Sequence, residues 1–201
     1  MNERSFTPPE GAGGRPAMLA SAVKVFAERG FHGASMRQLA AQAGVTQSNF
    51  YNYFPGKADI LLAILREAIA AQMALTQQAI DEAGDDVVDR FRAGITAFVR
   101  YYVDNPEVSL VATSELRYLE GDQRREVVAE RDREQQIFAS LVSEGAASGV
   151  FQTPHPHEAT LAVLTLCSGV TVWFRPGGEL GPQEVAQQYA RFALSLVEVR
   201  A

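Results

Sequence analysis

The chain has 201 residues, 47% of them hydrophobic and 21% charged, enough for one large domain or a small domain joined to a medium one. Its one cysteine, Cys167, excludes an intramolecular disulfide, and no apolar run is long enough to span a bilayer; with no secretory signal, the expected location is the cytoplasm. The net charge of −6 excludes a surface that is basic all over, but residues 1–60 carry six Lys/Arg against four acids while the rest of the chain is acidic, which keeps phosphate contact open at one end only.

Residues 1–14 hold Pro8, Pro9, Gly11, Gly13 and Gly14 with almost no apolar content, the composition of a disordered arm. From Arg15 helical periodicity takes over. Leu19, Ala22, Val23 and Phe26 mark one face of a first helix, which Gly30 is expected to stop. Ser35, with Gln38 three residues on, forms a capping box for a second helix with Met36, Leu39, Ala40 and Ala43 inward, ended by Gly44. Thr46 caps a third, with Val45 and Phe50 placed as a hydrophobic staple, and Pro55-Gly56 breaks it after Phe54. A long helix is expected from about Lys57 to Glu82, with Leu61, Ile64, Ala68, Ala71 and Leu75 on its inner stripe. Later helices fall at roughly 85–104, 107–118, 122–147, 157–175 and 182–199. Strand-like alternation and internal repeats are absent, so the expected fold is all-α with about nine helices.

Three short helices with a glycine turn between the second and third describe a helix-turn-helix, whose last member enters the major groove of DNA. If Val45, Phe50 and Phe54 point inward, Gln47, Ser48, Tyr51 and Asn52 share the outer face. Gln and Asn pair in bidentate fashion with adenine edges, and hydroxyls reach bases or phosphates. Lys57, in the first turn of the long helix, opposes the helix dipole; a phosphate held there by the ammonium and free backbone N–H groups would remove the conflict, and Tyr53 is placed to reach the same strand. The same residues would also serve as a polar surface turn.

The stretch "AERGFHGASMRQLAAQAGVTQSNFYNYFPGKADIL" resembles the amino-terminal DNA-binding region of TetR-type transcriptional regulators over about residues 15–62, sharing the turn glycine, the tyrosine-aromatic pair and the lysine after the break. The resemblance implies a homodimeric repressor of double-stranded operator DNA, with a helix-turn-helix domain at 15–60 and an effector-binding and dimerisation domain at 61–201. It places Arg37, Thr46, Gln47, Ser48, Asn49, Tyr51, Asn52, Tyr53 and Lys57 at DNA-contacting positions. Gln47 and Asn49 fall where such proteins vary and read bases, so they do not reveal the operator. The segment "VTVWFRPGGELGPQEVAQQYARFALSLV" resembles the end of a TetR-type subgroup that responds to acyl-CoA or other CoA thioesters, which implies a small apolar effector of that class.

In the carboxy-terminal part, Val88, Phe91, Ile95, Phe98 and Tyr102 form an aromatic-rich stripe, open to two readings, plain core or pocket wall. Val128, Arg131, Gln135, Phe138 and Val142 form a second, interrupted by two polar residues. Arg131 is expected either to pair with an acid such as Glu115 or to contact a ligand. Trp173 and Arg175 suit an adenine and a phosphate, or else a core-closing ring and a helix C-terminus. The effector site expected from these stripes is Phe91, Ile95, Phe98, Tyr102, Arg131, Gln135, Phe138, Trp173 and Arg175.

A dimer interface is expected on the last two helices, from Leu161, Leu164, Thr165, Ser168, Val172, Phe192 and Leu196. His155 and His157 lack a third ligand nearby, so no metal and no cofactor are expected, and Cys167 reads as an inert core thiol. The mixed-charge run "EGDQRREVVAERDREQQ" reads as a solvated helix face. The competing function is a hydrolase or thioesterase using Cys167 or a serine with one histidine, but the sequence offers no nucleophile motif, acid partner or oxyanion turn for it.

Overall fold

The computed structural model describes residues 14–199; the expected arm, apart from Gly14, lies outside the described residues. The helices are α1 (Arg15–Gly33), α2 (Met36–Gln42), α3 (Gln47–Tyr53), α4 (Lys57–Glu82), α5 (Val87–Asp104), α6 (Pro106–Ser114), α7 (Gly121–Ala147), α8 (Pro156–Ser168), α9 (Val170–Trp173) and α10 (Pro182–Leu196), with a 3₁₀ turn at Leu116–Tyr118. Among the described residues the fold is all-α, relieved only by an isolated antiparallel bridge between Phe151 and Val199.

Four boundaries differ from the periodicity. The expected sixth helix yields to the 3₁₀ turn after Ser114. The eighth is interrupted at Gly169, leaving α9 as a single turn, and the last ends at Leu196. The first helix does not stop at Gly30: that residue takes φ 67° and ψ 167°, a kink beyond which one more turn forms.

Packing divides the chain into two compact units. The first holds the described residues up to Ala68 together with Asn105–Val128. A division at residue 60 follows the chain order, whereas packing brings α6 against α1. The core of this unit comes from Met18, Leu19 and Phe26 of α1, Leu39 of α2, Phe50 and Phe54, and Ile60, Leu61 and Leu65 of α4. The α1 kink is tied to the second segment: the buried Glu115 carboxylate accepts the Phe31 N–H at 2.7 Å and the Ser114 hydroxyl at 2.7 Å, and Tyr118 stacks on Phe31 at 5.7 Å.

The second unit holds Ile69–Asp104 and residues from Ala129 onward. Its core gathers Phe91, Ile95, Phe98 and Val99 of α5, Phe138, Leu141 and Val142 of α7, Val163 and Cys167 of α8, and Val185, Ala186, Ala190 and Ala193 of α10. Asp86 caps α5 through the N–H groups of Val88 and Asp89, both at 2.9 Å. After α7 the chain folds back so tightly that a Cβ on Gly145 would lie 2.2 Å from the buried Phe151 ring.

Candidate nucleic-acid interface

Local chemistry sets the ends of α2 and α3. Ser35 and Gln38 make the reciprocal capping box, with Ser35 N–H donating to Gln38 Oε1 at 2.9 Å and Gln38 N–H to Ser35 Oγ at 3.3 Å. Between the helices Gly44 sits at φ 67° with open space around its missing Cβ, so backbone conformation rather than crowding demands glycine. The Val45 N–H returns to the Ala40 carbonyl at 3.0 Å, closing the turn. The Thr46 hydroxyl then accepts the Asn49 N–H at 3.1 Å and starts α3.

The buried side of α3 is Phe50, completed by Phe54 at a ring distance of 5.8 Å. Its outer side presents Gln47, Ser48, Tyr51 and Asn52, all exposed, with Thr46 and Tyr53 flanking and Asn49 half-buried. Arg37 is exposed on α2. Among the described residues, none of the side chains of Arg37, Gln47, Ser48, Tyr51 and Asn52 takes an internal partner. Tyrosines at 46% and 47% exposure, as Tyr51 and Tyr53 are, leave large flat apolar faces in solvent next to amide and hydroxyl groups. That is the lining base edges and phosphates require.

Lys57 has a use the sequence did not show. Its ammonium donates to the Phe31 and Ala34 carbonyls at the end of α1 and lies 4.5 Å from the centre of the Phe31 ring. Carbonyls at a helix C-terminus offset the unfavourable dipole at the start of α4 without a phosphate. Partial burial lowers the lysine's pKa. One of its three donors remains after the two carbonyls are served.

The residues expected to bind effector separate into two groups. Phe91, Ile95, Phe98, Tyr102 and Phe138 are buried in the second core, with edge-on ring contacts of Phe98 to Phe138 at 5.5 Å and to Tyr102 at 5.2 Å. Trp173 and Arg175 are not with them. Trp173 is half-exposed, stacks on Tyr189 and donates its indole N–H to the Tyr189 hydroxyl at 2.8 Å; Arg175 donates to the Phe174 carbonyl at 2.9 Å, next to the end of α9. Arg131 and Gln135 are half-buried. Glu115 is engaged at the α1 kink, and the Arg131 charge acts on Glu134 and Tyr102.

Sequence reading missed the buried polar groups by one residue on each helix. Val128, expected inward, is exposed, whereas Phe138 and Val142 are buried as expected, together with Val127, Glu134 and Leu141. On α4 the line beyond Ala68 runs through Gln72, Thr76 and Ile80, while Ala71 and Leu75 are only half-buried. Burial raises the Glu134 carboxyl to about 7, partly opposed by Arg131, and pushes the Tyr102 phenol up to about 12. A pocket of about 380 Å³ is lined by Gln77 and Ile80 of α4, Arg90 of α5, and Arg133, Gln136, Ile137, Ser140 and Leu141 of α7.

The chemistry of the enzyme reading fares poorly. Cys167 is fully buried and its thiol is pushed up to about 12, so it is not a thiolate at neutral pH. His155 and His157 are exposed, and no metal-holding group of His, Cys, Asp or Glu occurs among the described residues. No described helix is long and apolar enough to cross a membrane.

A capped helix-turn-helix with a polar outer face, carried on a larger helical body, defines a DNA-binding transcriptional regulator. The chain belongs to the TetR family: residues 18–64 match "Bacterial regulatory proteins, tetR family" and residues 84–197 match "Tetracyclin repressor-like, C-terminal domain". This is a family of regulators rather than of enzymes. The chain is 25% identical over 190 residues to the HTH-type transcriptional repressor KstR2 of Mycolicibacterium smegmatis, covering 94% of this chain and 92% of that one. Its structure is similar to the TetR-family regulator PfmR of Thermus thermophilus, with TM-score 0.82, 28% identity and coverage of 89% and 97%. It shares the fold of AibR, solved with isovaleryl coenzyme A and operator DNA, at TM-score 0.82, 19% identity and coverage of 92% and 98%.

Proposed function

We propose that this regulator is a homodimeric cytoplasmic repressor: α3 of each protomer reads a major groove of operator DNA, and a small apolar effector, an acyl-CoA or related CoA thioester, releases it. The observation that carries the DNA contact is the outer face of α3, where Gln47, Ser48, Tyr51 and Asn52 stand exposed without internal partners among the described residues. Arg37, Thr46, Asn49, Tyr53 and the spare donor of Lys57 supply backbone contacts around it.

Support for the dimer is an apolar face on α8, α9 and α10. Leu161, Val172, Phe192 and Leu196 are all at least 40% exposed, with Val172 at 75%, and Thr165 and the half-buried Leu164 and Ser168 lie among them. Large apolar side chains grouped in this way mark an interaction surface. A second reading head is also needed, since one helix-turn-helix covers too few base pairs for specificity.

The effector class is supported by the AibR complex and by the pocket in which exposed Arg133 stands with Ile80, Ile137 and Leu141, Arg90 being paired with Glu144; that lining suits an anionic molecule with an apolar part. The element that couples effector to DNA is α4, unbroken over 26 residues and shared by both units. Acyl-CoA binding that lowers operator affinity 10- to 100-fold requires a coupling of about 1.4–2.8 kcal/mol, and operator must weaken acyl-CoA binding by the same factor.

The test is calorimetric titration of acyl-CoAs with and without the DNA flanking the protein's own gene. Equal affinities in both titrations exclude acyl-CoA as the releasing ligand. No complex with that DNA at low salt removes the operator from beside the gene, and a single-chain mass by light scattering at micromolar concentration removes the dimer.

A further inference from the structure

The second core contains polar groups that neither its packing nor its hydrogen bonds account for. Thr76 is fully buried and Glu134 nearly so, and both Thr76 Oγ1 and Glu134 Oε1 are buried without a hydrogen-bond partner among the described residues. Each such atom costs stability, because burial strips its hydration and supplies nothing in return. The cost was avoidable. Half-buried Leu75 precedes Thr76 on α4, and exposed Val128 lies on α7, so apolar side chains stand outside while polar ones occupy the core.

Tyr102 is the shared neighbour of Gln72, Arg131 and Glu134. Gln72, one turn before Thr76 on the same face of α4, donates to the Phe98 carbonyl at 3.4 Å, and its amide acts on the Tyr102 phenol. The charges of Glu134 and Arg131 both act on Tyr102. The surroundings are the apolar rings of Phe98 and Phe138 and the side chain of Ile80. A polar cluster with unfilled acceptors inside an apolar wall is how a protein prepares to recognise one polar group on a hydrophobic molecule.

We propose that Glu134 and Thr76 form an internal recognition site for a hydroxyl group on the apolar part of the effector, the ligand O–H donating to the Glu134 carboxyl and Thr76 serving as second partner. Resting on the ligand-responsive reading above, this names what the buried end of the ligand carries, whatever its head group is. The cluster selects a neutral donor. Above about pH 7, where Glu134 is ionised, a carboxylate would meet it with a like charge, and a plain hydrocarbon would leave both oxygens unpaired, as they are without it.

Two measurements test this. The first needs no ligand: the isosteric Thr76→Val replacement removes an unsatisfied hydroxyl and should raise the Tm of the free protein by about 2–4 °C. A lower Tm would mean that the hydroxyl already has a structural partner, and the proposal fails. The second uses 2-naphthol, naphthalene and 2-naphthoate as fluorescent probes. The wild-type protein should bind 2-naphthol at least about ten-fold more tightly than either analogue, as one hydrogen bond to a charged or buried acceptor implies. In Glu134→Leu that preference should fall within about two-fold while naphthalene binding persists; if that variant does not fold, Thr76→Val is measured instead. Equal binding of 2-naphthol and naphthalene by the wild type, no binding of any probe, or a preference that survives the substitution overturns the site. Operator binding by the ligand-free wild type is measured separately, so that its failure removes the regulatory reading and not the recognition site.

Discussion

Replacing Glu134 by glutamine removes a charge and keeps the shape, and the structure sets both the sign and the size of the result. Burial raises the carboxyl from 4.5 to about 7, so the folded chain holds this proton more tightly than the unfolded chain. The stability it contributes is therefore fully present below about pH 4.5. It declines as the unfolded chain releases its proton while the folded chain retains it, and it is lost once pH passes about 7. The interval between the two values corresponds to about 3 kcal/mol. Urea unfolding of wild type and Glu134→Gln from pH 5 to 8.5 isolates this group, because the exposed His32, His155 and His157 are common to both proteins. The two stabilities should nearly coincide at pH 5 and diverge to about 3 kcal/mol in favour of Glu134→Gln above pH 7.5. Tyr102 and Cys167, pushed up to about 12, do not titrate in this range. Parallel curves across the range would refute the reasoning, since they would mean that the carboxyl is as well solvated folded as unfolded.

Tyr51→Ala, on the outer face of α3, should weaken operator binding at least about ten-fold in an anisotropy titration while leaving urea unfolding unchanged, as a lost groove contact requires. Lys57→Ala should do something different: with the Phe31 and Ala34 carbonyls left without their donor, unfolding free energy should fall by about 1–3 kcal/mol. If its third proton meets a phosphate, the salt slope of operator binding should also drop by about one. Gly145→Ala places a methyl within the Phe151 ring and should cost about 1–3 kcal/mol by denaturation, whereas Ala at the exposed Ser143 should change little.

The reading domain was legible in the amino-acid sequence because its signals are local. The Ser35–Gln38 box, the left-handed Gly44, the Thr46 cap and the Pro55-Gly56 break each act within four residues, and each is where the structure uses it. The split between apolar Phe50 and the polar residues around it on α3 follows from helical spacing alone. Tertiary structure decided the rest. Lys57 faces the end of α1 because the chain returns there after 23 residues, a closure no local pattern encodes. The Gly30 kink persists within a continuing helix because Glu115, 84 positions from Phe31, accepts the Phe31 N–H. On α7, charged residues occur all round the helix, so a shift of one residue, about 100° of rotation, exchanges Val128 for Val127 and brings Glu134 inside. Trp173 and Arg175 could have joined the aromatic stripe by composition; the break at Gly169 turned them to Tyr189 and to the end of α9 instead. Caps and turns are settled by neighbours in sequence, but the side of a long helix that is buried is settled by the helices packed against it.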